Sequence, residues 1–294
     1  MSRISVIIST YRRDESLKTA VASVRAQTYP DVEILIADDN ADPAWNGKVA
    51  RVAAEYGARH IVNEQNLGSA RNRNHAASLA TGEYLAFLDD DDRYLPDKLA
   101  RQYECIREKG ADMCIEDLTL VNEDGRFIET RSRRYLINAK PQDYMKLHVL
   151  YHMTSPDTLM FRKSYFEAFG GFAPIDLGDD FYLMERAIEQ GGTLCYHPYA
   201  GTVAVVHSRE SGLSSGANKL KCENDEFPYL IKFRPLFTAA EWRSVRARHY
   251  AVVSFAYLRM KKYVPCLLNA ARAFFLSPKM CVKLIVDAKG GGRR

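Results

Sequence analysis

Short, wholly apolar runs alternate with longer amphipathic stretches through the first third of the chain, and that alternation leaves few folds open. Val6-Ile7-Ile8 and Ile34-Leu35-Ile36 are continuous apolar triplets, the pattern of strands covered on both faces in a parallel sheet. Strands are predicted at Ile4–Ser9, Glu33–Ala37, Arg59–Val62 and Tyr84–Leu88, with helices near Asp14–Gln27, Ala44–Tyr56, Ser69–Ala80 and Pro96–Lys109. Connections through a helix are long enough to return the chain to a parallel neighbour, so this βαβα order implies an α/β fold with a mainly parallel sheet. After Gly110 the pattern loosens. It recovers with a strand at Thr158–Phe161, a Gly170-Gly171 turn and a helix near Asp180–Gln190.

Beyond these elements, Ser208–Asn218 is rich in Ser, Gly and Asn without periodicity and reads as a mobile loop. Ala239–Arg259, Tyr263–Leu276 and Lys279–Ala288 read as helices, broken by Pro265 and by Ser277-Pro278. Charge divides the same way. Residues 1–226 have a formal balance of −8 and residues 227–294 one of +12, so the two regions are expected to meet different partners. The six cysteines are scattered, without a C-x-x-C pair or zinc-ligand spacing, which fits reduced cytosolic thiols. Met1 runs directly into the first strand, so no secretory leader is expected. The longest apolar stretches, near Ala251–Leu258 and Val264–Leu276, fall short of the roughly 20 residues that span a bilayer.

In sheets of this kind ligands bind beyond the carboxyl ends of the strands. Those ends deliver Thr10-Tyr11-Arg12-Arg13, Asp38-Asp39-Asn40, Asn66-Leu67-Gly68-Ser69-Ala70-Arg71 and Asp89-Asp90-Asp91-Asp92. Four successive carboxylates repel one another unless a cation or protons offset them. Hard divalent cations take oxygen ligands, so the alternating pair Asp89 and Asp91 suits Mn²⁺ or Mg²⁺ shared with a phosphate; a solvated acidic loop is the plainer alternative. The turn at Asn66–Gly68 opens a helix whose N-terminus favours an anion, with Arg71 and Arg73 placed to add charge-assisted bonds. Asp39 suits a ribose hydroxyl or base N–H, or a helix cap. Gly178-Asp179-Asp180 opens a further helix, where either aspartate is a cap or a general base. His207 is a candidate metal or phosphate contact, though a lone histidine after a strand is more often structural.

In order and spacing these segments resemble the family 2 glycosyltransferases, inverting enzymes of GT-A fold, from about Ile4 to Ser215. The resemblance also rests on Phe161-Arg162, Gly170-Gly171-Phe172 and Gly178-Asp179-Asp180 with Arg186. It implies a Rossmann-like mixed, mainly parallel sheet flanked by helices in residues 1–215, divided into a nucleotide-binding half at 1–110 and an acceptor half at 111–215. Residues 216–294 then form a basic helical C-terminal extension. It further implies a D-x-D motif at Asp89-x-Asp91, with Asp91 the direct ligand of Mn²⁺ or Mg²⁺ and His207 a further one. Thr10, Tyr11, Arg13, Asp39, Asn66, Gly68, Arg71, Asp89 and Asp90 would bind a UDP- or dTDP-linked sugar. Asp180 would be the base, with Asp179 beside it. The departures are Asp179 in place of the family's Glu, and His207-Ser208-Arg209 in place of Arg-x-His.

The implied acceptor is a glycan or lipid-linked glycan at the cytoplasmic face of the cell membrane. The basic tail, with aromatics at Phe233-Arg234-Pro235-Leu236-Phe237 and Tyr257–Tyr263, suits an anionic membrane surface or, alternatively, packing on the catalytic domain or a second subunit. No nucleic-acid motif accompanies its charge. A phosphatase would want D-x-D-x-[ST] after the first strand and a nucleotidyltransferase a Gly-rich loop there; Ser9–Arg13 has neither. A non-catalytic sugar-nucleotide-binding module is the other rival.

Overall fold

The computed structural model describes residues 2–175, 177–207 and 216–278. Its strands are β1 (Ile4–Thr10), β2 (Val32–Asp38), β3 (Arg59–Val62), β4 (Tyr84–Asp89), β5 (Arg93–Tyr94), β6 (Met113–Asn122), β7 (Phe127–Arg131), β8 (Leu159–Arg162) and β9 (Leu194–Val206). The principal sheet order is β3-β2-β1-β4-β8-β6-β9-β5. β1, β2, β3 and β4 are mutually parallel, while β8 runs antiparallel to both β4 and β6, and β5 antiparallel to β9. The four strands expected from apolar runs are therefore present, and later strands make the sheet mixed.

Helices α1 (Glu15–Arg25), α2 (Pro43–Tyr56), α3 (Ser69–Leu79) and α4 (Lys98–Lys109) follow β1, β2, β3 and the β4–β5 segment. Strand alternation sorts the core between two faces. Ile4, Val6 and Ile8 of β1, with Tyr84, Ala86 and Leu88 of β4, share one cluster with Leu17 and Val21 of α1, Val49 of α2 and Leu99 of α4. Phe87 points the other way, with its ring 5.1 Å from Phe172 and 5.4 Å from Phe166. Asp89 has the same parity as Phe87.

Because β1 lies between β2 and β4, the order reverses direction there, which is the switch point where such sheets open a crevice. Register fixes what faces it: Thr10 lies opposite Asp38, and Ser9 opposite Asp89. Gly82 guards that register. A Cβ at this position would meet the Ser5 backbone N at 2.6 Å and the Arg3 carbonyl at 2.9 Å, while its own N–H donates to Ser5 Oγ at 2.8 Å.

The next helices are α5 (Tyr144–Tyr151), α6 (Lys163–Ala168), α7 (Asp179–Glu189), α8 (Gly216–Leu230), α9 (Ala239–Arg259) and α10 (Tyr263–Leu276). α8 departs from the sequence reading. Gly216, Ala217 and Asn218, assigned above to a loop, form its first turn, and its buried Glu223 accepts from His249 Nδ1 at 3.1 Å. Tertiary packing on α9 thus overrides a composition that favours a loop. The rest of that loop, residues 208–215, and the helix expected at Lys279–Ala288 lie outside the described residues.

The chain divides into two compact units. The first comprises Met1–Val121, Thr130–Pro141 and Met153–Val205; the second comprises Asn122–Glu129, Gln142–His152 and Val206–Arg294. Within the second, Phe227 stacks on His249 at 4.0 Å, Lys146 pairs with Glu241 at 2.7 Å, and Ser254 Oγ donates to the Cys266 carbonyl at 2.8 Å. α9 begins with a capping box between Thr238 and Glu241. Among the described residues no helix is long and apolar enough to cross a membrane.

Candidate active site

The loops after β1 and β4 meet through Asp90. Its carboxylate accepts from Thr10 Oγ1 at 2.7 Å, from the Tyr11 N–H at 3.4 Å and from Arg13 Nη1 at 2.8 Å. Arg13 also pairs with Asp91. Burial pushes Asp90 up to about 6 against the pull of Arg13. Thr10, Tyr11, Arg13 and Asp90 are thus brought together as the sequence suggested, and they hold one another.

Asp39 occupies the neighbouring loop. It is 4% exposed, and its oxygens accept from the Leu67 N–H at 2.8 Å, the Gly68 N–H at 2.9 Å and Asn63 Nδ2 at 2.9 Å. Asn66 Nδ2 donates to the Asp39 carbonyl at 3.0 Å. Gly68 has φ of 78°, which lets the chain turn into α3. Asp39 is therefore what positions the turn of Asn66 and Gly68.

Of the two arginines on α3, Arg71 is exposed and reaches the Leu67 and Pro174 carbonyls at 3.4 Å. Arg73 is 6% exposed and ties two acidic segments together. Its guanidinium pairs with Asp89 and, at 3.0 Å, with Asp179, and its Cζ stands 5.3 Å from the Phe172 ring centroid. Burial opposes the Arg73 charge, but Asp89 and Asp179 outweigh it and hold the guanidinium protonated. The sequence grouped Arg73 with Arg71 as a contact for an anion; in the fold it answers two carboxylates instead. The signal was helical phase, since Arg73 falls three residues after Ala70 and three before Ala76, both buried.

Neither aspartate of Gly178-Asp179-Asp180 is the N-cap of α7; Gly178 occupies that position, without a side-chain cap bond. Burial raises Asp179 to about 6, with Arg73 pulling the other way. Asp180 lies beside it, accepting from the Ser155 N–H at 3.4 Å and the Phe181 N–H at 2.9 Å.

Oxygens of Asp89, Asp91 and Asp92 all lie within 4.8 Å of one another. Three hard donors at that spacing fit a divalent cation. Their support is a residue that the sequence did not reveal, Asp157, which is 2% exposed and accepts from the Asp89 N–H at 2.9 Å. Burial and the nearby Asp89 charge raise Asp157 to about 8. Burial and Asp157 likewise raise Asp92 well above the carboxylate range, so this pair retains a proton. Asp92 also accepts from the Val205 N–H of β9 at 2.9 Å. His207 follows that strand and belongs to the second unit, where its Nδ1 lies 3.0 Å from Glu123.

The order of these segments matches a known family. Residues 5–170 fit the family profile described as Glycosyl transferase family 2. This chain belongs to that family. The matched stretch takes in Thr10 through Asp157, while Asp179, Asp180 and His207 lie beyond it. Among curated relatives, the uncharacterized glycosyltransferase MJ1057 of Methanocaldococcus jannaschii is 30% identical over 51% of this chain and 53% of its own length. The succinoglycan biosynthesis protein ExoO of Rhizobium meliloti is 27% identical over 72% of this chain and 62% of its own. WfgD of Escherichia coli, a UDP-Glc:alpha-D-GlcNAc-diphosphoundecaprenol beta-1,3-glucosyltransferase, is 27% identical over 45% of this chain and 53% of its own. The chain thus spans between half and two thirds of the length of these relatives. Among solved structures, Staphylococcus aureus TarS 1-349 in complex with UDP superposes with a TM-score of 0.59 at 17% identity, covering 94% of this chain and 92% of that one. The Pyrobaculum calidifontis mannosyltransferase PcManGT, in complex with GDP-Man and Mn²⁺, gives 0.53 at 17% identity, covering 100% and 76%. At these identities the likeness establishes the GT-A fold.

Proposed function

We propose that this chain is a metal-dependent, inverting glycosyltransferase that moves a sugar from a UDP- or dTDP-linked donor to a hydroxyl of a glycan or lipid-linked acceptor in cell-surface polysaccharide synthesis. One observation carries this reading: the ion pairs from Asp89 through Arg73 to Asp179 join the cluster of oxygen donors to the carboxylates at the start of α7.

Asp89, Asp91 and Asp92 would hold the cation. When bound, Mn²⁺ or Mg²⁺ offsets the charge that builds on the departing diphosphate. Thr10, Tyr11 and Arg13 shape the donor loop around Asp90, and Asp39 meets the base while holding the Asn66–Gly68 turn. Arg71, exposed at the start of α3, contacts phosphate. Asp180 takes the proton of the acceptor hydroxyl, whose oxygen attacks the anomeric carbon in line. The bond from that carbon to the diphosphate breaks with its electron pair on oxygen, so the configuration inverts. Asp179 is fixed by Arg73 and positions this turn.

Donor consumption should require Mn²⁺ or Mg²⁺ and should be nearly abolished in Asp180→Asn. Full turnover by that variant would favour a different base or a binding module, and a product with retained configuration by NMR would overturn the displacement.

The second unit is proposed to attach the enzyme to the inner face of the membrane. Val264, Leu267, Leu268 and Phe275 of α10 are 71%, 68%, 58% and 84% exposed. They recur at helical spacing, and Arg259, Lys261, Lys262 and Arg272 are exposed with them. Such a combination suits anionic headgroups over a shallow apolar layer.

A further inference from the structure

Cys105 of α4, Cys114 of β6 and Cys195 of β9 are far apart in sequence, without zinc-ligand spacing, yet the fold gathers them. They are 7%, 0% and 1% exposed, and their sulfurs all lie within 4.8 Å of one another. A tetrahedral thiolate site with metal–sulfur bonds of about 2.3 Å needs sulfurs roughly 3.8 Å apart, so modest closure of this trio would meet it. Scattered thiols were expected from the sequence because its spacing rules assume ligands on one loop or hairpin; here they come from three separate elements.

Packing alone accounts for three buried thiols, which behave as small apolar groups. It does not account for His197. This residue lies two positions after Cys195 on β9, hence on the same face. Its Nε2 is buried and without a hydrogen-bond partner, a loss of about 1–3 kcal/mol for an unsatisfied polar atom. A neutral imidazole is the form that ligates metals.

We propose that Cys105, Cys114 and Cys195, with the His197 ring swinging in from outside the 4.8 Å group of sulfurs as the fourth ligand, form a structural Zn²⁺ site separate from the acidic cluster. Binding exchanges three thiol protons, released to solvent, for one dication. Three thiolates, a neutral imidazole and Zn²⁺ leave a charge of −1, to which Arg101 and Lys109 are electrostatically coupled through His197. The metal would fasten β9 to α4 and β6. Since Val205 near the end of β9 donates to Asp92, the site would steady the strand that supports the acidic loop.

The full chain, expressed with zinc and gel-filtered, should contain one zinc per chain by plasma mass spectrometry and keep it through an EDTA wash that removes Mn²⁺. The Co²⁺-loaded protein should show an intense thiolate-to-cobalt charge-transfer band. Cys195→Ser and His197→Ala should lose the zinc or weaken its retention at least tenfold, while Asp91→Ala should keep it. A wild-type chain that takes up no zinc under reducing conditions would overturn the site even if a cysteine variant failed to fold. So would zinc retained unchanged in both site variants, or lost in Asp91→Ala.

Discussion

At the sheet edge of the first unit, charges are buried and answer one another; around α10 of the second, Arg259, Lys261, Lys262 and Arg272 are exposed beside exposed apolar side chains. Arg73 is 6% exposed with two carboxylate partners, whereas Phe275 is 84% exposed. The first arrangement is fixed before any ligand arrives and loses heavily when one member is removed, because its partner remains buried and unpaired. The second has little to lose in the free protein. In the proposed membrane role its energy would be realised against the lipid surface, where salt would screen the part carried by charge. Position along the chain therefore predicts the kind of sensitivity: substitutions at the sheet edge should alter chemistry and folding, and substitutions on α10 should alter location.

The largest effect should come from Asp91→Ala, with metal-dependent donor turnover falling about a thousandfold, several kcal/mol of lost stabilisation. Asp90→Ala should be milder in metal binding, as its carboxylate serves Thr10 and Arg13; equal metal affinities in the two variants, by titration with Mn²⁺, would break that assignment. Asp180→Asn should lower kcat by about 10² to 10⁴ while leaving the donor KM near its original value, measured by initial rates. Arg73→Met should destabilise the fold by roughly 3–5 kcal/mol in urea unfolding, against less than about 0.5 kcal/mol for Arg71→Met.

A smaller effect concerns pH. Asp90 and Asp179 are raised to about 6 and Asp157 to about 8, so the folded state binds these protons more tightly than the unfolded chain. Their contribution is fully present below pH ~4 and is lost as pH rises through about 6 and then about 8. Metal-free protein should therefore lose stability from this cluster across that range, and added Mn²⁺ should raise the melting temperature more at pH 8 than at pH 5. A stabilisation by Mn²⁺ that ignores pH would separate the cation from these carboxylates. The smallest effect is on the second unit: Leu267→Ser with Leu268→Ser should abolish sedimentation with anionic vesicles at low salt while leaving thermal stability within about 0.5 kcal/mol.

Much of the first unit was legible because buried parallel strands carry their signal locally. Val6-Ile7-Ile8 and Ile34-Leu35-Ile36 needed no partner to be read, and the polar residues after them had to fall at one edge. Asp157 could not be found that way. It enters only because β8 inserts antiparallel beside β4, and nothing near Pro156 signals that neighbour. Arg71 and Arg73 differ in sequence by two places and in environment by half a helical turn, which residue type alone does not report. The cysteine trio fails for a related reason, since α4, β6 and β9 meet through tertiary packing alone. In the second unit, α8 opens with Gly216 and contains Pro228, so local propensity argues against a helix that the packing of Glu223 and Phe227 on His249 supports.

The proton retained between Asp92 and Asp157 has a thermochemical consequence. A cation taken up beside it competes with that proton, so loading of the acidic loop should expel it into the buffer. The heat of binding recorded by calorimetry would then contain the buffer's own ionisation heat, and the same titration run at pH 7 in phosphate and in Tris should return different apparent enthalpies whose separation counts the protons released.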